Sequence, residues 1–210
     1  IRDRIYAGLT AAMDAACAGE RAILVGNSMG GWIGMLYAHA NSDRVERLVL
    51  VNGGALRVED PAVNLEPKTR EEADQTMRAL MGPATPPLPD FVLDDVIRWA
   101  RVGPAGRLAG RLVEEGDAMD AYLLHGRLDE VDVPVELVWG DSDGLFTLDY
   151  AQRLLDGLPR ARLHPVEGCG HVPHRECPAK TLDALVAALA MEPPEEKIEE
   201  PEAEVPEVVS

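Results

Sequence analysis

Aromatic side chains are scarce in this sequence, with three Trp, four Tyr and two Phe in 210 residues. A core of ordinary size must then be built mostly from Leu, Val and Ala, which the 46% apolar content allows. Positive charge is also short: 20 Lys and Arg against 37 Asp and Glu leave a net charge of −17. A phosphate backbone is bound by clustered Lys and Arg, and no such cluster is present, which argues against nucleic acid as a partner. The same acidity disfavours an anionic membrane surface. No apolar run reaches the roughly eighteen residues of a spanning helix. Cysteine is limited to Cys17, Cys169 and Cys177. An odd count implies no disulfide framework, and three reduced thiols in a cytoplasmic protein are the expectation. Neither an initiator Met nor a signal peptide stands at Ile1. No dinucleotide fingerprint and no metal-ligand cluster is visible, so no cofactor and no metal are expected.

What is present alternates between two kinds of segment. Residues 1–18 carry Ile5, Leu9, Ala12, Met13 and Ala16 at helical spacing, and Gly19 closes the run. A short strand over 21–25, a glycine turn and a helix over about 29–40 follow. The stretch "RVERLVLVNGG" gives a second strand, 46–51, whose unalternating Leu and Val suit a parallel strand covered on both faces. Residues 55–130 differ: "TREEADQTMRAL", "PDFVLDDVIRWARV" and "PAGRLAGRLVEEG" are amphipathic helices without a strand between them. Strand 134–139, helix 147–157, strand 161–166 and helix 178–190 resume the alternation, which predicts a parallel α/β sheet. The organisation expected is a core over 1–54, a helical cap over 55–130, and the rest of the core over 131–191. Residues 192–210 hold eight Glu against one Lys, and this composition predicts a disordered acidic tail.

Chemistry concentrates at "LVGNSMGG". A serine flanked by Gly26 and Gly30, between a buried strand and a helix, fits a nucleophile elbow. The turn is tight, its neighbours must be small, and the hydroxyl of Ser28 then projects from the carboxyl end of the strand, where open α/β sheets take ligands. The bland alternative is a glycine turn with an N-capping serine. A serine hydroxyl needs a base and an orienting carboxylate. Two later turns offer them, both directly after strands: "WGDSDGLF" with Asp141 and Asp143, and "EGCGHVPHREC" with His171 and His174. Asp143 and His171 are preferred; Asp141, His174 and Cys169 remain the rivals. An oxyanion needs N–H donors, and the backbone N–H of Met29, next to the nucleophile, is the one candidate in view.

In their order and their elements, these motifs resemble the α/β-hydrolase fold family over nearly all of residues 1–190. The resemblance implies an acid three residues after the Gly of a Trp-Gly motif, which is Asp143 after Gly140. It implies a histidine after Cys-Gly, which is His171. It also implies earlier strands and a second oxyanion donor that this sequence does not contain, so an N-terminally truncated domain is expected. The cap sequence, with "GNSMGGWIGMLYA" and "RVERLVLVNGGAL", resembles monoacylglycerol-lipase-like serine hydrolases, which implies cleavage of carboxylic esters, the substrate being a small molecule. The elbow is similar too to that of meta-cleavage-product hydrolases, which cut C–C bonds. Those commonly carry Trp after the histidine, where Val172 stands here. A ligand-binding protein that keeps a hydrolase pocket is the remaining alternative.

Overall fold

The structure is a computed structural model that describes residues 2–58, 63–83, 85–103 and 122–197. Its centre is a four-stranded parallel sheet, β1 (Ala22–Asn27), β2 (Val45–Val51), β3 (Val135–Gly140) and β4 (Ala161–Val166), in the spatial order β1-β2-β3-β4. The register pairs Val25 with Val49, Leu50 with Leu137, and Val138 with His164. Helices α1 (Arg2–Cys17), α2 (Met29–Ala40), α5 (Leu148–Gly157), the short α6 (Pro173–Glu176) and α7 (Pro178–Ala190) accompany it. Between β2 and β3 lie α3 (Arg70–Leu80) and α4 (Asp90–Val102). The expected elements recur within two residues at their ends. The third helix expected there, over 104–116, lies outside the described residues.

Parallel strands are joined by crossovers and are normally covered on both faces. Accordingly β3 is buried along its whole length and β2 at every position but Glu46. One apolar layer gathers Leu48, Leu50, Leu137 and Trp139 with Met35, Tyr37 and Leu154 from the helices. The opposite layer gathers Val49, Val51, Val138 and Val166 against Ala188 of α7. Three of the few aromatics gather at one place: Trp139 stacks on Tyr150, which also meets Phe146. β1 differs from its neighbours, since it pairs with β2 alone among the described strands, and Ile23 and Val25 are 40% and 56% exposed.

Glu136 interrupts the apolar run of β3 with a fully buried carboxylate. A buried charge must be paired, and His164 Nε2 lies 2.7 Å from it, with Arg47 and Arg162 each at 3.7 Å. Arg47 also donates to the carbonyls of Ala188 and Met191, which ties the end of α7 to the sheet.

Two expectations need correction. Cys169 and Cys177 form a disulfide, leaving Cys17 as the free thiol. The odd count concealed a pair, because the chain turns back through α6 and brings the two Cα atoms to 6.1 Å across a separation of eight. The acidic tail was expected from 192, yet residues 192–197 lie along the fold. Arg160 donates to the Pro194 carbonyl at 3.1 Å, and the Lys197 N–H donates to the Pro159 carbonyl at 2.9 Å. Backbone carbonyls met by arginines hold this stretch whatever its composition. Residues 198–210 lie outside the described residues.

Candidate active site

Three carboxyl ends of strands converge on the site. β1 ends at Asn27 and α2 begins at Met29, so Ser28 alone makes the turn, with φ 52 and ψ −119. A non-glycine residue at positive φ is strained and persists only where its surroundings hold it. Here the Ser28 N–H donates to the Val51 carbonyl at 3.1 Å, and the Ser28 carbonyl accepts from Trp32 N–H at 3.1 Å. Space matters as much. A Cβ on Gly26 would lie 2.5 Å from the Gly30 backbone, and one on Gly53, after β2, would lie 2.5 Å from the Ser28 carbonyl oxygen. A Cβ on Gly30 would meet nothing within 4 Å. Of the two motif glycines, then, only Gly26 is required by packing. The second close approach comes from Gly53, a residue outside the motif.

The serine, acid and histidine preferred from the sequence are brought together. His171 Nε2 lies 2.8 Å from Ser28 Oγ, and His171 Nδ1 lies 2.8 Å from Asp143 Oδ2. A carboxylate only accepts, so Nδ1–H donates to Asp143 and the bare Nε2 accepts the serine O–H. Asp143 is 3% exposed and His171 7%. The other carboxylate oxygen, Asp143 Oδ1, accepts N–H donors from Leu145 at 2.8 Å and Phe146 at 3.1 Å. Trp139 Nε1–H donates to the Phe146 carbonyl at 2.8 Å, which anchors that turn to the core. The Phe146 ring rests 5.5 Å from the imidazole.

The rivals are occupied elsewhere. Asp141 Oδ1 accepts from Gly168 N–H at 2.7 Å and Ser142 Oγ–H at 3.0 Å, binding the acid turn to the histidine turn. His174 is exposed on α6, and Cys169 is in the disulfide. Met29 opens α2, whose first-turn N–H groups have no partner within the helix and carry the positive end of its dipole.

Three further residues, none of them singled out from the sequence, bond to the parts of the site. Asn27 Nδ2 donates to the His171 carbonyl at 3.0 Å and to the Val51 carbonyl at 2.8 Å. Asn52 Nδ2 donates to Asp143 Oδ2 at 2.9 Å. Glu176 accepts from three backbone N–H groups: Gly82 at 2.5 Å, Gly170 at 2.9 Å and Val172 at 3.1 Å. His171 N–H itself donates to the Leu80 carbonyl at 2.6 Å. The end of α3 is thereby fastened to both flanks of the histidine. A polar residue directly after a strand was the only sequence signal for Asn52, and Asn27 showed only as the variable residue before Ser28 in the elbow. Glu176 offered no more than a carboxylate five residues past the histidine.

A family model described as Alpha/beta hydrolase family matches residues 2–184. The chain belongs to the alpha/beta hydrolase family. This alpha/beta hydrolase is 31% identical over 166 residues to a 2-hydroxy-6-oxononadienedioate/2-hydroxy-6-oxononatrienedioate hydrolase of Paraburkholderia phymatum, covering 72% of this chain and 56% of that one. It is 26% identical over 184 residues to the monoacylglycerol lipase ABHD6 of Mus musculus, covering 80% and 54% respectively. Among solved structures, a bacterial membrane phospholipase A matches with a TM-score of 0.67 and 26% identity, covering 86% of this chain and 60% of that one. The chain thus spans little more than half the length of the curated relatives it matches. Among the described residues, no helix is long and apolar enough to cross a membrane.

Proposed function

We propose that this alpha/beta hydrolase cleaves carboxylic esters of the acylglycerol kind through an acyl-enzyme on Ser28. The observation that carries the reading is the continuous pair of 2.8 Å contacts from Ser28 Oγ through His171 to Asp143. His171 Nε2 takes the serine proton as Oγ attacks the ester carbonyl. Asp143 holds the ring and stabilises the imidazolium that results. The Met29 N–H, at the positive end of α2, donates to the developing oxyanion. The imidazolium returns its proton to the departing alcohol, and a water deprotonated by the same histidine then releases the acid.

We assign α3 and α4 to a helical cap over 55–130 between core segments 1–54 and 131–191. Leu93 and Ala73 are buried within it, whereas Phe91 and Trp99 are 69% and 55% exposed. Met77, Met81 and Leu88, together with the paired Asp74 and Arg78, line a cleft of about 280 Å³ that reaches Gly82, beside the histidine turn; Ser28, Asp143 and His171 are not among its lining. The lipase relative supports the ester reading. The dienedioate hydrolase relatives favour a second one, C–C bond cleavage by the same three residues. Val172 after His171 speaks for the ester.

The test is turnover of p-nitrophenyl esters of rising acyl length beside Ser28→Ala, with fluorophosphonate labelling of Ser28. Ester turnover and labelling that both vanish in Ser28→Ala support the reading. Cleavage of a ring-fission dienoate without ester turnover supports the second. Failure of both substrates and of labelling refutes the catalytic assignment.

A further inference from the structure

Asn52 follows β2 and is the residue of that strand's end that reaches the acid turn. It is fully buried and sits at φ 43, in the left-handed region that Asn tolerates better than most residues. Its amide is committed on both sides. Asn52 Oδ1 accepts from Gly140 N–H at 2.8 Å, while Nδ2 donates to Asp143 Oδ2 at 2.9 Å and to the Gly140 carbonyl at 3.3 Å. One side chain thus reads the end of β3 and the carboxylate three residues beyond it. Asp143 Oδ2 is also the oxygen that accepts from His171 Nδ1. Two donors therefore share one oxygen, and the amide withdraws part of the charge that would otherwise act on the imidazole alone.

Building on the serine-hydrolase reading above, we propose that Asn52 is a positioning residue for Asp143, and that its amide both aims the carboxylate and moderates its pull on His171. A residue that merely capped β3 would need only the contacts to Gly140. The bond to Oδ2 is the additional one. Hydrogen bonds to an ionised acceptor are roughly twice as strong as neutral ones. Removing this donor leaves Asp143 to hold the imidazolium more tightly, so a higher pH is needed to free Nε2. The other titratable groups on the turns packed here are Asp141, engaged by Gly168 and Ser142, Glu176, engaged by three backbone N–H groups, and the exposed Glu167, His174 and Arg175.

The experiment is the rate of fluorophosphonate labelling of Ser28 against pH, in the full chain, Asn52→Gly and Asn52→Leu. The glycine variant keeps the positive φ and the leucine variant keeps the volume, and thermal melting confirms which of them are folded. The expected result is labelling slowed about tenfold, with the midpoint of the pH profile raised by about half a unit or more, since a carboxylate that loses a donor becomes more basic and stabilises the imidazolium beside it. A midpoint equal to that of the unmodified chain in a folded variant overturns the proposal and reduces Asn52 to a strand cap. Absence of labelling in the unmodified chain at every pH overturns the hydrolase reading and this inference with it.

Discussion

Gly53→Ala isolates how closely β2 supports Ser28, the proposed nucleophile. The added Cβ would lie 2.5 Å from the Ser28 carbonyl oxygen, 2.8 Å from its nitrogen and 2.9 Å from its Cα. Ordinary carbon contacts begin near 3.5 Å, so the overlap is roughly 1 Å and falls entirely on backbone, which cannot rotate away. Ser28 is held by the Val51 carbonyl on one side and Trp32 on the other, so relief requires the turn itself to shift. Overpacking of this sort costs about 1–3 kcal/mol. For a chain of this size each kcal/mol lowers Tm by about 2–4 °C. Displacing a reacting atom by about 1 Å costs about 10²-fold in rate. The assay is ester kcat/KM together with thermal melting, beside Gly30→Ala, whose Cβ would meet nothing within 4 Å. Gly30→Ala should melt no lower than the parent, because alanine is the better helix former by about 1 kcal/mol. A Gly53→Ala enzyme with kcat/KM within about twofold of the parent would refute the claim that β2 fixes the nucleophile.

Glu176→Ala removes the acceptor of three N–H groups around His171 and the end of α3. Ester kcat should fall by at least about tenfold, and amide exchange at Gly82 and Gly170 should quicken together, each lost bond to a charged acceptor being worth about 1.5–3 kcal/mol. Unchanged exchange at Gly82 would show that the carboxylate does not link the two segments. Tyr150→Phe leaves the buried Leu56 N–H without its 3.0 Å acceptor and should cost about 1–3 kcal/mol in chemical denaturation. Burial raises the Tyr150 phenol above its ordinary value of 10.0. The unfolded chain therefore ionises first, so stability should decline as pH rises past about 10, and the decline should be smaller in Tyr150→Phe.

The sequence located the parallel strands because burial on both faces leaves an apolar run, as in "RLVLV". It located the serine turn because a one-residue reversal between strand and helix demands small neighbours. It also pointed to Asp143 and His171 as candidates, since both follow strands whose carboxyl ends must share one edge, and the structure brings the two within hydrogen-bond reach of each other and of Ser28. The residues of the turn alone left Asp141 and Asp143 as rivals, and the family resemblance preferred Asp143; in the structure Asp143 is the one that meets His171, while Asp141 is engaged by Gly168 and Ser142. The disulfide was invisible in a count of three cysteines, because it depends on α6 folding the chain back on itself.

What the sequence alone determined, then, was whatever is written in neighbours along the chain: the elements, their parallel order, and the three turns that hold the candidate site residues. Only the tertiary structure decided how those turns are held. Asn27, Asn52, Gly53 and Glu176 act on residues far from them in sequence, and an asparagine, a glycine or a glutamate in a loop looks the same whether it meets water or a buried carboxylate. Hydrogen bonds and close approach are set by distances in space, and those exist only once the sheet has brought the strand ends together.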